Sequence, residues 1–194
     1  MNQINKNLTK NISFAKDKLD CDNTLKISGI TILNEEEYRK YYDLIPFDKI
    51  NKSLDMKNIA PYYHSYIIWW LKDQSSRHIN NSKFPEYKKF VKCIYTDKSV
   101  RYEYCDINGG IVPVIIFTSK YSNFYFKGNQ INIGKYTWTV LDNKDDQIYA
   151  ICNSSVKISK FDDITGDWEK SKLKQWLENE FLSKIKSNIW TKIV

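Results

Sequence analysis

Apolar residues fall in short strand-like runs along most of the chain, while the stretch from 171 to 186 carries the three-and-four spacing of an amphipathic helix. Residues 25–33, LKISGITIL, read as a strand. A helix is predicted directly after it, over 34–44: Asn34 stands as N-cap, and Glu35, Glu36 and Glu37 complement the helix dipole. Glu37, three residues past the cap, completes a capping box. The second helix is predicted over 171–186, where Leu173, Trp176, Leu177, Phe181 and Ile185 form one apolar stripe. Ser171 is its expected N-cap, with Trp168 placed to add a turn before it.

Between these helices the pattern is that of strands. Residues 46–61 are irregular, and Pro61 disfavours a helix immediately before it. Residues 62–72, YYHSYIIWWLK, predict a buried strand, and 73–85 a polar loop. Three strands then follow, 90–96, 99–107 and 110–117, read as an antiparallel meander. Asp97 and Lys98 join the first pair; Asn108, Gly109 and Gly110 are expected to turn the second, because Asn-Gly is a strong hairpin signal. Pro113, which has no N–H for a ladder, belongs at a strand end, edge or bulge. A further series, 124–133, 135–143 and 146–154, closes with a hairpin through KDDQ. The expected fold is α+β: one domain over 25–194, mostly antiparallel, with two principal helices, preceded by a polar, aperiodic arm over 1–24.

Composition narrows the function classes. With 42% hydrophobic and 15% aromatic residues in 194, the chain fills one core. Six Gly and four Pro exclude low-complexity linkers, and no glycine-rich phosphate loop or dinucleotide fingerprint occurs. The net charge of +7 comes from 30 basic and 23 acidic residues, mostly interleaved, which favours solubility and diffuse attraction over a defined site. The first twenty residues lack the apolar core of a secretory signal, and SYIIWWL is too short to span a bilayer, so the expectation is a cytoplasmic protein without a membrane partner.

Candidate chemistry is sparse. Cys21, Cys93, Cys105 and Cys152 are widely spaced without a C-x-x-C, so structural free thiols are expected and zinc is not. His64 and His78, the two histidines, have no Ser, Cys or Asp at a recognised catalytic spacing. Asp162, Asp163 and Asp167 cluster before the second helix, yet they lack the regular spacing of a calcium loop and suit solvated turn and helix-start positions better. No enzyme, cofactor or metal is expected.

One longer-range pattern stands out. Gly134, Tyr136, Trp138, Val140, Leu141 and Asp142, followed by Trp168, Ser171, Leu173, Trp176, Leu177, Asn179, Glu180 and Phe181, resemble the first half of an uncharacterised bacterial domain family. That family opens with F-G-x-Y-x-W-x-V-L-D and continues to W-x-x-S-x-L-R-x-W-L-N-x-x-F. Its second half, with an acidic helix start, W-W-L-R-S and G-V-R-P, resembles residues 32–37, Trp69 to Lys72 and Gly110 to Val114, which come first here. The resemblance covers roughly 25–190 and implies a circular permutation: 25–118 would match the family's second half and 124–194 its first. It also implies a remote kinship with C-type-lectin-like and sulfatase-modifying-factor-like folds, with Ile193 near Thr24, and Trp138 and Trp176 sharing a core with Leu33 and Trp70. Lys72 and Val112 stand where the family has arginines, so fold carries over and chemistry does not.

Three function classes stay open. The first is a non-catalytic protein-binding module, such as a phage or mobile-element inhibitor of a host defence nuclease in the manner of anti-CRISPR proteins. The second is a nucleic-acid binder using interleaved aromatic and basic residues. The third is a lectin-like module that binds a small ligand or a carbohydrate, stacking exposed rings on sugar faces. The expected recognition surface combines the loop 73–85, the turn TSKYSN and the polar arm, with Lys72, Arg77, Lys83, Tyr87, Lys88, Lys89, Arg101 and Tyr121 as contact residues.

Overall fold

The computed structural model describes residues 24–54, 68–74 and 89–190. Ten strands form two five-stranded sheets. The first has the order β1 (Lys26–Thr31), β6 (Val114–Thr118), β9 (Gln147–Cys152), β8 (Tyr136–Lys144), β7 (Gln130–Ile133). The second has the order β10 (Lys157–Lys160), β5 (Asn108–Ile111), β2 (Ile68–Gln74), β3 (Phe90–Tyr95), β4 (Val100–Tyr104). All pairings are antiparallel except that of β2 with β5. The α+β expectation holds, in a single domain.

Helix α1 (Glu35–Lys40) begins as the sequence requires. Asn34 Oδ1 accepts from the Glu37 N–H at 2.6 Å, and Glu37 Oε2 accepts from the Asn34 N–H at 2.8 Å. A single 3-10 turn, Tyr42–Leu44, follows. Helix α2 (Phe47–Ser53) occupies the stretch read as irregular. Its signal was Phe47, Ile50 and Leu54 at three and four, all buried, behind Pro46 at the cap position. Helix α3 is composite: Lys172–Trp176 is α-helical, Leu177–Phe181 is a π turn, and Leu182–Trp190 is α-helical. Ser171 caps it, its Oγ accepting from the Lys174 N–H, and Trp168–Lys170 adds a 3-10 turn before it.

The expected meander is overturned after β4. Asn108 and Gly109 make no hairpin with β4; they lie inside β5, which pairs with β10 and β2. The glycines serve close approach instead: a Cβ on Gly109 would meet the Trp70 indole at 2.7 Å, and one on Gly110 would meet Leu54 at 2.4 Å. Pro113 then divides the predicted strand 110–117 into β5 and β6, which belong to different sheets, so the meander ends at β4.

Each of two buried clusters draws on both sheets. One gathers Trp70, Cys93, Ile115, Phe117, Trp138, Leu173, Leu177 and Phe181, with Trp176 packed on its margin. The other gathers Leu33, Tyr38, Phe47, Trp69, Ile94, Val114 and Leu141 under α1 and α2. Trp138, Trp176 and Trp70 thus share a cluster as expected, but Leu33 lies in the other. The alternation of β2 sends Trp69 and Trp70 to opposite faces, and Leu33 goes with Trp69. Among the described residues no helix is long and apolar enough to cross a membrane.

Candidate partner-binding surface

The most conspicuous surface feature is the loop from Ser119 to Asn129, between β6 and β7. Phe124 is 48% exposed and Phe126 is 63% exposed, while Tyr125 between them is 1% exposed and sits edge-on against Phe117. The Phe126 ring has no aromatic or cationic partner among the described residues, and Phe124 touches only the edge of Tyr121. Two large rings in water are unfavourable by about 2 kcal/mol each relative to burial.

The loop holds this conformation through a dense set of bonds. Asn143 Nδ2 donates to the carbonyls of Ser122 (2.6 Å) and Tyr125 (3.2 Å). Asn129 Oδ1 accepts from the Phe126 N–H, and the Gly128 N–H donates to Val140 O. Gly128 has φ +83°, a conformation that excludes most side chains. The loop's base is tied to the first strand where the Lys120 N–H donates to Thr24 Oγ1. The rings are therefore presented by a rigid loop, and their exposure does not come from slack. Between Asp106 and Asp142 the chain has no acidic residue and three lysines, Lys120, Lys127 and Lys135; Lys127 pairs with Asp142 at 2.9 Å, which leaves Lys120 as the loop's uncompensated charge among the described residues.

Sequence reading took 124–133 as a strand, which would put Phe124 and Phe126 on one face and Tyr125 on the other. The period-two alternation of burial is real, but it belongs to a loop, and β7 begins only at Gln130. The Lys-Gly-Asn tract after Phe126 was the available signal for a loop.

Four of the expected contact residues are described, and Tyr121 lies on a different sheet from the other three. Lys72 on β2 is half-buried and pairs with Glu37 at 3.1 Å. Lys89 precedes β3, its carbonyl accepting from the Cys105 N–H. Arg101 on β4 pairs with Asp97 at 2.8 Å and lies over the Tyr95 ring. Tyr121 stands apart, at the exit of β6 in the other sheet, with Lys120 over its ring. Arg77, Lys83, Tyr87 and Lys88 lie outside the described residues, as do most of the loop 73–85, residues 1–23 of the arm, His64, His78, Cys21 and Ile193.

The other features with chemical potential are internally satisfied. A cleft of about 490 Å³ opens between α1 and the first sheet, with Leu33, Val114 and Leu141 at its floor. A bulge after Val140 lets both Leu141 and Asp142 face it. The Asp142 carboxylate takes Lys40 (3.1 Å) and Tyr41 (3.0 Å) on Oδ2, and Lys127 (2.9 Å) and its neighbour's N–H (3.1 Å) on Oδ1. Burial pushes this carboxyl up, but Lys127, Lys40, Tyr41 and the Asn143 N–H together hold it well below the usual carboxylate range. A carboxylate so depressed and fully coordinated cannot serve as a general base near neutral pH.

The cluster before α3 behaves the same way. Asp162 accepts from the N–H groups of Ile164, Thr165 and Lys172; Asp163 from Lys160 and Lys172; Asp167 from Glu169 N–H and Lys170. All six carboxylate oxygens therefore point at protein donors. Among the described residues no group of three or more His, Cys, Asp and Glu is arranged to hold a metal. Cys93, Cys105 and Cys152 are free and buried. Burial pushes the Cys105 thiol up to about 11 and raises Cys93 and Cys152 as well, so none is a poised nucleophile.

Comparison with models of protein families, with curated proteins and with solved structures finds no match for this chain.

Proposed function

We propose that this protein is a non-catalytic protein-binding module whose docking element is the loop Ser119–Asn129. One observation carries the reading: Phe124 and Phe126 stand out in water from a loop whose backbone is locked by hydrogen bonds. Rigid aromatic anchors that lose little entropy on docking are the residues that dominate protein interfaces. Lys120 beside them, its ammonium over the Tyr121 ring, favours a partner with an acidic rim around an apolar pocket. The finer reading of that partner as a host defence nuclease, held by a phage or mobile-element inhibitor, is supported by the Asn-, Lys- and Ile-rich composition. The permuted-domain reading has the support that α3 and β1, at the two ends of the described chain, contribute Ile185 and Ile30 to one cluster.

The test is affinity capture from nuclease-treated lysate of the native host, wild type against the double variant Phe124→Ser, Phe126→Ser. The expected result is a protein retained by the wild type and lost with the variant. Equal retention by both would place docking elsewhere.

A further inference from the structure

A second surface lies away from the aromatic loop, where the second sheet ends. β10 is its outermost strand, and no described strand lies beyond it. Beside β10 runs α3, and between them is a groove of about 410 Å³. The helix turns one stripe to this groove, Lys172, Gln175, Trp176 and Asn179, at positions i, i+3, i+4 and i+7. The strand contributes Lys157 and Lys160. A polar stripe at helical spacing, set beside the outermost strand of the described sheet, is a geometry that receives an extended chain.

The charges choose the kind of chain. Lys157 has no acidic partner among the described residues; its ammonium lies 4.5 Å from the centre of the Trp176 ring. Lys160 and Lys172 share a single carboxylate, Asp163. Glu180 is the one carboxylate on the groove lining. Three lysines against Asp163 and Glu180 leave the groove positive. Lysines on a short edge strand repel a second copy of the same edge, and so block self-pairing. The same lysines attract a strand that carries carboxylates, so they act as a selector.

A nucleic-acid strand fits less well. Lys157 lies over the Trp176 ring and Phe181 stacks on it with ring centroids 5.4 Å apart, so a nucleobase would have to displace one of them to stack. We infer that the groove between β10 and α3 binds an extended acidic peptide segment, which adds to β10 as a sixth strand of the second sheet. With the aromatic loop on the first sheet, the protein then has two separate docking faces.

The experiment uses the full chain and a fluorescein-labelled heptapeptide of alternating glutamate and valine. Its controls are the lysine-valine counterpart, the glutamate peptide with alternate amides N-methylated, and a dodecamer of deoxythymidine. Anisotropy gives affinity, and NMR amide shifts give location. The expected result is saturable binding of the glutamate peptide, with shifts at the amides of Lys157 to Lys160 and at the Trp176 indole. N-methylation should remove it, and the Lys157→Glu, Lys160→Glu variant should weaken it at least tenfold, since both side chains are exposed and the fold is untouched. The Phe124→Ser, Phe126→Ser variant should bind the peptide normally, which keeps this site separate from the loop. Equal binding of the lysine or N-methylated peptide, no binding of the glutamate peptide, or shifts at β10 only with the oligonucleotide would overturn the inference.

Discussion

The indole of Trp70 lies across Gly109, so that a Cβ on residue 109 would stand 2.7 Å from both Nε1 and Cε2 of the ring. Trp70 is fully buried and its Nε1 donates to Ser159 O at 3.0 Å, bridging β2 to β10 over the glycine in β5. This contact explains why an Asn-Gly pair sits inside a strand. Gly109→Ala is therefore expected to destabilise by about 2 kcal/mol through overpacking, a fall in Tm of roughly 4–8 °C. Gly29→Ala is the control: its nearest neighbour, Ile116 Cδ1, would be 3.6 Å away, and its Tm should stay near the wild-type value. Calorimetry of the two variants decides it, and equal melting would remove the close approach as the reason for glycine.

Asp142 gives a pH prediction. Its folded pKa is depressed, so the stability it contributes is fully present above the unfolded value of about 3.9 and is lost as pH falls through the folded value. Asp142→Asn should cost about 2 kcal/mol at neutral pH, because charged hydrogen bonds from Lys40 and Lys127 lose their acceptor. The gap between variant and wild type should stay constant from pH 7 down to about 4 and narrow below that. Denaturant unfolding at several pH values measures it. A gap that widened on acidification would contradict the assignment.

The thiols provide a chemical check on the core. In a Cys21→Ser background, Cys93, Cys105 and Cys152 should resist Ellman's reagent at pH 8 in the folded protein, because burial raises all three and blocks access. All three should react in denaturant. Rapid reaction of any one in the native state would refute the burial of that residue.

Local chemistry was legible in the sequence wherever one short segment decides the outcome. The capping box of Asn34 and Glu37, the Ser171 cap, and the Asp145–Asp146 turn, with φ of 53° and 60°, are all set by residues within four positions of one another. Helix α2 was missed although its signal, Phe47, Ile50 and Leu54, is local, whereas the other misreadings involve partners far away in the chain. Gly109 read as a turn residue because Trp70, its reason for being glycine, is distant in sequence. Residues 124–129 read as part of a strand because alternation gives a period without showing a ladder partner, and the conformation is fixed instead by Tyr125 docking on Phe117 and by Asn143 bonding the loop. The π turn at Leu177–Phe181 had no sequence signature, since its apolar stripe also fits a regular helix.

The exposed rings carry a stability prediction that separates docking from folding. Phe124→Ser with Phe126→Ser should leave Tm unchanged or slightly higher, since both rings already face water, whereas Tyr125→Ser should cost about 3 kcal/mol by emptying a buried site. Thermal melts of the two variants test this, and a large loss in the double serine variant would make the rings structural.

The central claim, docking through the loop, is tested most directly by site-specific photo-crosslinking in cells of the native host. A benzophenone amino acid replaces Phe126 in one variant and Ile164, 73% exposed and outside the loop, in another. The account predicts one discrete protein adduct from position 126 and none from position 164. Matching adducts at both positions, or an adduct from 126 that is nucleic acid or lipid, would contradict it.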